Sequence, residues 1–169
     1  TGAKLPSVAG ATSTQAVTVN VQAVTDPVGL TIDGAASHNA TVAEEGTINL
    51  TALLAATLGS TDGNAGPDID GSEERWLEIS GLPARTVVPT PAGDVLVTGP
   101  SQIVTVPAPG LNDATTPTLP AIGITPPPDF SGNIDNIQIT LVAVARDSGG
   151  PADGARQEAW GSLDLLVTP

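Results

Sequence analysis

Ile134-Asp135-Asn136-Ile137-Gln138-Ile139-Thr140-Leu141-Val142-Ala143-Val144-Ala145 is the longest strand-like run of the chain. Apolar residues alternate through Ile137, Ile139 and Leu141, the period of a strand with one face buried. Val142-Ala143-Val144 is apolar throughout, as in a strand covered on both faces. Before it stands the turn Pro126-Pro127-Pro128-Asp129-Phe130-Ser131-Gly132, and after it Arg146-Asp147-Ser148-Gly149-Gly150. A last strand is expected from Trp160 to Val167.

Working outward, the same reading yields many short strands. Ala16-Val17-Thr18-Val19-Asn20-Val21-Gln22-Ala23-Val24 alternates strictly, and Thr25-Asp26-Pro27 ends it, because proline stops sheet pairing. Val28 to Ile32 follows, closed by Asp33-Gly34. Val42 to Thr51 reads as a turn into a strand, and Ala52 to Leu58 as one or two helical turns. Further strands are expected at Trp76 to Ser80, Thr86 to Val88, Val95 to Thr98, Gln102 to Val106 and Ile122 to Ile124. A Pro- and Thr-rich connection spans Pro107 to Pro120. With 19 glycines and 16 prolines in 169 residues, long helices are excluded. The pattern predicts an all-β fold, an antiparallel sandwich. Aromatics make up only 2% of the chain, so the core has to be built from Val, Leu, Ile and Ala. Trp76 and Trp160 are expected in or beside it.

Asp68-Ile69-Asp70-Gly71-Ser72-Glu73-Glu74 packs four carboxylates around a glycine, directly ahead of the strand at Trp76. Carboxylates so crowded repel one another unless a cation sits among them. Short Asp-rich loops supply the hard oxygen ligands that calcium takes, with a glycine for the bend. In a sandwich of this strand order, one end gathers Asp26, the acidic loop and Asp147. The expected calcium ligands are therefore Asp26, Asp68, Asp70, Glu73 and Asp147. The opposite end gathers a second, weaker metal candidate, Glu44, Glu45 and Asp129, of which Asp129 is equally a turn former.

A formal net charge of −13 argues against nucleic-acid phosphates, and no apolar run is long enough to insert in a membrane. Without cysteine, neither a disulfide nor a zinc–thiolate site is available. The single histidine, His38, reads as a solvated loop residue. No nucleophile elbow or zinc-helix motif occurs, and the chain is not expected to be an enzyme.

Several motifs stand in order: Val24-Thr25-Asp26-Pro27-Val28, Glu44-Glu45-Gly46-Thr47-Ile48-Asn49-Leu50, Asp70-Gly71-Ser72-Glu73, Ile79-Ser80-Gly81-Leu82-Pro83, Pro127-Pro128-Asp129-Phe130-Ser131-Gly132 and Val142-Ala143-Val144-Ala145-Arg146-Asp147. Together they resemble the tandem Ig-like or cadherin-like modules of giant bacterial RTX adhesins exported by type I secretion. The resemblance covers most of Thr25 to Pro169. It implies an Ig-like (cadherin-like) β-sandwich, stiffened by calcium, acting as an extender in cell adhesion and biofilm formation at the bacterial cell surface. Its partners would be neighbouring modules of the same polypeptide. Two stretches, Leu53 to Pro67 and Pro107 to Pro120, are insertions relative to a compact module. The alternative is a carbohydrate- or protein-binding sandwich whose inserted loops recognise a ligand.

Gly10-Ala11 followed by Val17 to Ala23 is echoed by Gly154-Ala155 followed by Gly161 to Val167. On that reading residues 1–25 are a linker and the closing strand of a preceding module, and residues 26–169 are the complete sandwich. The orphaned strand would pair with another copy by strand exchange or dock on the following sandwich.

Overall fold

The computed structural model describes residues 16–17, 25–59, 73–112, 117–145 and 156–169. Within them the chain is almost entirely β. In order come β1 (Val28–Ile32), β2 (Ser37–Ala43), β3 (Ile48–Asn49), β4 (Leu54–Leu58), β5 (Glu73–Ser80), β6 (Val87–Thr90), β7 (Gly93–Leu96), β8 (Val104–Pro107), β9 (Gly123–Ile124), β10 (Gly132–Ala145) and β11 (Gln157–Thr168). Two 3₁₀ turns, Leu50–Ala52 and Pro109–Asn112, are the only helical pieces among the described residues.

One layer is a five-stranded sheet ordered β2-β11-β10-β5-β8. The second is assembled from shorter pairs, β1 with β4, β3 with β9 and β6 with β7, and a bridge between Val87 and Thr125 joins the last two. β5 beside β10 beside β11 reproduces the C–F–G neighbours of an immunoglobulin-type sandwich. Leu77, Ile79, Ile137, Ile139, Leu141, Leu163 and Leu165 point inward from the large sheet and meet Leu30, Ile32, Leu50, Leu54 and Ile124 in one core cluster. Every buried hydrophobic side chain among the described residues is Leu, Ile, Val or Ala, as the composition requires.

Three local outcomes differ from the sequence reading. Residues 54–58 form a strand, not a helix, because Leu54, Ala56 and Leu58 stand opposite Ile32, Leu30 and Val28 of β1. His38 lies in β2, half-buried, with Nδ1 3.4 Å from the Asp33 carboxylate. One pair in the large sheet, β2 with β11, is parallel. After β1 the chain turns through Asp33 and Gly34, both at positive φ. Ile32 and Ala35 pair across that turn, and the chain then enters the other layer alongside the last strand, running in the same direction as it. Of the strand expected at 16–24 only Ala16 and Val17 are described. Both are exposed and outside any strand.

β10 carries a bulge. Asn136 takes φ 59° and the register against β11 shifts between Ile134 and Ile137. The Asn136 amide donates to Asp164 Oδ1 at 2.7 Å, so the irregular position still has a partner.

Candidate functional site

The site is the pole of the sandwich where β1 begins. β5 starts here at Glu73, opposite Ala145 at the end of β10, and β4 ends here at Leu58, opposite Val28. Thr25, Asp26 and Pro27 tie these ends together. The Ala145 amide donates to Thr25 Oγ1 at 3.0 Å. The Asp26 amide donates to Glu73 Oε1 at 2.5 Å. The Gly59 amide donates to the Pro27 carbonyl at 2.8 Å. Three successive residues thus clasp three strand ends drawn from both layers.

Glu73 and Arg75 share the inward parity of β5 with Leu77 and Ile79, which carries two charges into the interior. They form an ion pair whose side chains are 3% and 1% exposed. Arg75 Nη1 also donates to Asn112 Oδ1 at 2.6 Å, and Asn112 Nδ2 donates to the Glu73 carbonyl at 2.9 Å. The network fastens the Pro109–Asn112 turn to the pole, and Leu111 from that turn is buried in the core. The Pro109–Asn112 turn of that connection therefore packs on the sandwich rather than standing off it. Nothing in the sequence reading singled out Arg75. Its signal was its parity with Leu77 and Ile79.

Of the expected calcium ligands, Asp26 and Glu73 are brought together, and both are buried. Asp68, Asp70 and Asp147 lie outside the described residues. A buried carboxylate such as that of Asp26 suits a hard cation, which offsets the cost of desolvating it. Glu73 already sets its charge against Arg75, so a calcium ion here would share that carboxylate with a guanidinium. At the opposite pole Glu44, Glu45 and Asp129 do not converge, and no group of three possible ligands among the described residues is arranged to hold a metal. Glu45 and Asp129 take φ of 62° and 59°. They turn the chain, in keeping with the turn-former reading of Asp129.

The tryptophans are not in the core. Trp160 is 60% exposed and Trp76 is half-buried, both on the outer face of the large sheet. Their signal too was parity, with Ser162 and Asp164 in one strand and Glu74 and Glu78 in the other. The Trp76 Nε1–H donates to Glu78 Oε1 at 2.8 Å. The Arg156 guanidinium lies 5.7 Å from the Trp76 ring centroid. Hydrogen bonding to Glu158, with Glu78 also adjacent, raises the Arg156 pKa above its ordinary value.

The fold and the pole define the class, an all-β immunoglobulin-like sandwich. No helix of the described residues is long and apolar enough to cross a membrane. No family model and no curated protein matches the chain. Among solved structures it is similar to the CsuC–CsuE chaperone–tip adhesion subunit pre-assembly complex from archaic chaperone-usher Csu pili of Acinetobacter baumannii. Identity is 10% and the TM-score 0.38, over 82% of this chain and 60% of that one. The chain thus spans less than two thirds of the length it matches, and the sandwich assignment rests on its own strand pairing.

Proposed function

We propose that the chain is a calcium-stabilised structural module, an extender, of a bacterial surface adhesin of the RTX type, acting outside the cell in adhesion and biofilm formation. The observation that supports this reading is the clasp at Thr25-Asp26-Pro27. It fixes the point where a preceding module would attach to strand ends of both layers. The acid-rich segment carrying Asp68 and Asp70 leads into one of those ends in sequence, and Asp147 follows another by two residues. Calcium would be taken by Asp26, Asp68, Asp70 and Asp147, with Glu73 shared with Arg75. The ion's contribution would be charge neutralisation and stiffness, with no chemical step. Partners are the neighbouring modules of the same polypeptide.

Thermal melting with calcium and with chelator tests this. A ligand that binds only the native state at 100 times its Kd adds about 2.7 kcal/mol, so the melting temperature should rise with calcium and fall with EDTA. Asp70→Asn should weaken calcium binding by calorimetry while the apo melt is retained. Identical melts in calcium and EDTA would remove the metal from the proposal.

A second reading, a carbohydrate- or protein-binding module, is favoured by one observation, the placement of both tryptophans on an outer sheet face.

A further inference from the structure

The two edges of the five-stranded sheet are built differently. β8, at one edge, is four residues long and ends on Pro107, and a short strand closed by proline resists pairing with another chain. β2, at the other, runs through Ser37-His38-Asn39-Ala40-Thr41-Val42-Ala43 with no proline, glycine, Asp, Glu, Lys or Arg. Its neighbour β11 takes only alternate backbone groups. The Ser162 amide donates to the Ala36 carbonyl and the Glu44 amide to the Thr168 carbonyl, so the even-numbered residues face β11 in this parallel pair. The amides and carbonyls of Ser37, Asn39 and Thr41 therefore point away from the sheet, and no strand among the described residues pairs with them. Their side chains are exposed on the outer face, whereas on the inner face Val42 is buried and His38 and Ala40 are half-buried. The core beneath this edge is thus only partly covered.

Backbone groups alone would accept any extended segment, so side chains and charge decide the occupant. A foreign peptide would find on β2 no charge, and no exposed apolar side chain larger than alanine, by which to be selected. A second copy of the chain fits better. Each copy carries −13, and β2 lets two of them meet without setting like charges opposite each other. Asp33 faces His38 of its own chain. Asp164, beside Asn39, stands one strand back from the edge and accepts from the Asn136 amide. Across three strand spacings its counterpart would be about 14 Å away, farther than the Debye length of about 8 Å. The strand is also self-complementary. Turned antiparallel about a twofold axis at Asn39, two copies set Ser37 opposite Thr41 and Asn39 opposite its own counterpart on the outer face. His38 then stands opposite Ala40 on the inner one. Hydroxyls and amides both donate and accept, so the two copies satisfy one another across the axis, as an isologous contact requires. An antiparallel ladder in this register adds about six backbone hydrogen bonds. We propose that β2 pairs with β2 of a second copy, joining two five-stranded sheets into one across a twofold axis. A single strand pair is small against the roughly 1,200 Å² of stable interfaces. The dimer is therefore weak, with a dissociation constant on the order of 0.1–1 mM, and the dilute chain is a monomer. The inference rests on β2 and is independent of calcium and of the extender reading.

Sedimentation equilibrium of the full chain from roughly 10 μM to 1 mM, which brackets that constant, tests it at low and high salt. A reversible monomer–dimer equilibrium is expected, tightening as salt screens the net charge. Asn39→Asp sets two carboxylates face to face on the axis and should weaken dimerisation roughly tenfold or more. Ser101→Asp, the same charge change in an exposed turn outside β2, should dimerise as wild type. Asn39→Pro removes an amide that points away from β11, so it should abolish the dimer and keep the wild-type melt. Ala40→Pro instead breaks a bond to β11 and should lower the melting temperature. A monomer at every concentration, wild-type dimerisation by Asn39→Asp, or weakening by salt overturns the inference. So does loss of dimerisation on deleting residues 1–24, which would assign self-association to the strand read at 16–24. Dimerisation with identical calcium and EDTA melts would overturn the metal reading and leave this one standing.

Discussion

Arg75 is one of five basic residues set against eighteen acids, and the fold buries it. Its guanidinium meets Glu73 and Asn112 at the pole where β5 begins. Removing one partner of a buried pair strands the other charge, which costs about 3–5 kcal/mol. Arg75→Met should therefore lower unfolding stability by that order in a urea titration. The double variant Glu73→Gln with Arg75→Met should recover part of the loss, since two matched uncharged groups are cheaper to bury than one orphaned charge. A double variant no more stable than Arg75→Met would show that the pair contributes something other than charge balance.

Among the elements, β1 and β11 approach so closely that only glycine fits between them. A Cβ on Gly161 would lie 2.9 Å from Ile32 Cγ1 and 3.2 Å from the Ala36 carbonyl. Ile32 is fully buried, so it has little room to move aside. Gly161→Val should cost about 1–3 kcal/mol through overpacking, read as a lower melting temperature with β content retained in far-UV circular dichroism. A shift of β1 away from β11 would expose the core seam they share. A variant as stable as wild type would mean that the two layers yield here without loss.

At the level of the whole molecule, the clasp ties Thr25, Asp26 and Pro27 to strand ends of both layers. Truncation of residues 1–24 leaves Thr25, Asp26 and Pro27 in place and should give a chain that still unfolds cooperatively and sediments as a monomer. Truncation of residues 1–27 removes all three clasping residues. At about 0.5–1.5 kcal/mol per hydrogen bond, this should cost on the order of 2–4 kcal/mol. Equal stability of the two truncations would show that the clasp is incidental. Unfolding of the shorter truncation would place residues 16–24 in the core.

Two-residue alternation recognised several of the strands but not β2 (Ser37–Ala43), where the sequence reading placed a loop at His38, nor β4. Val28–Ile32 stands where it was read, β10 extends two residues beyond its expected start, and the aliphatic composition of the core follows from the scarcity of aromatics. Alternation assigns each residue to one of two faces, but the layer that covers one of them comes from elsewhere in the chain. For that reason Trp160 was expected near the core and stands in solvent, although it shares parity with Ser162 and Asp164. Residues 54–58 became a strand only because β1 lay alongside to take their hydrogen bonds, a partner that local propensity does not contain. Arg75 could enter the interior only because Glu73, two residues back on the same face, and Asn112, from a distant turn, arrive at the same pole. The sequence by itself determined that the chain is β-rich, where several of its strands lie, and that aliphatic side chains fill the core. Which faces are covered, which charges are buried and which strand runs parallel were decided by tertiary packing, because each depends on groups that meet only after the chain has folded.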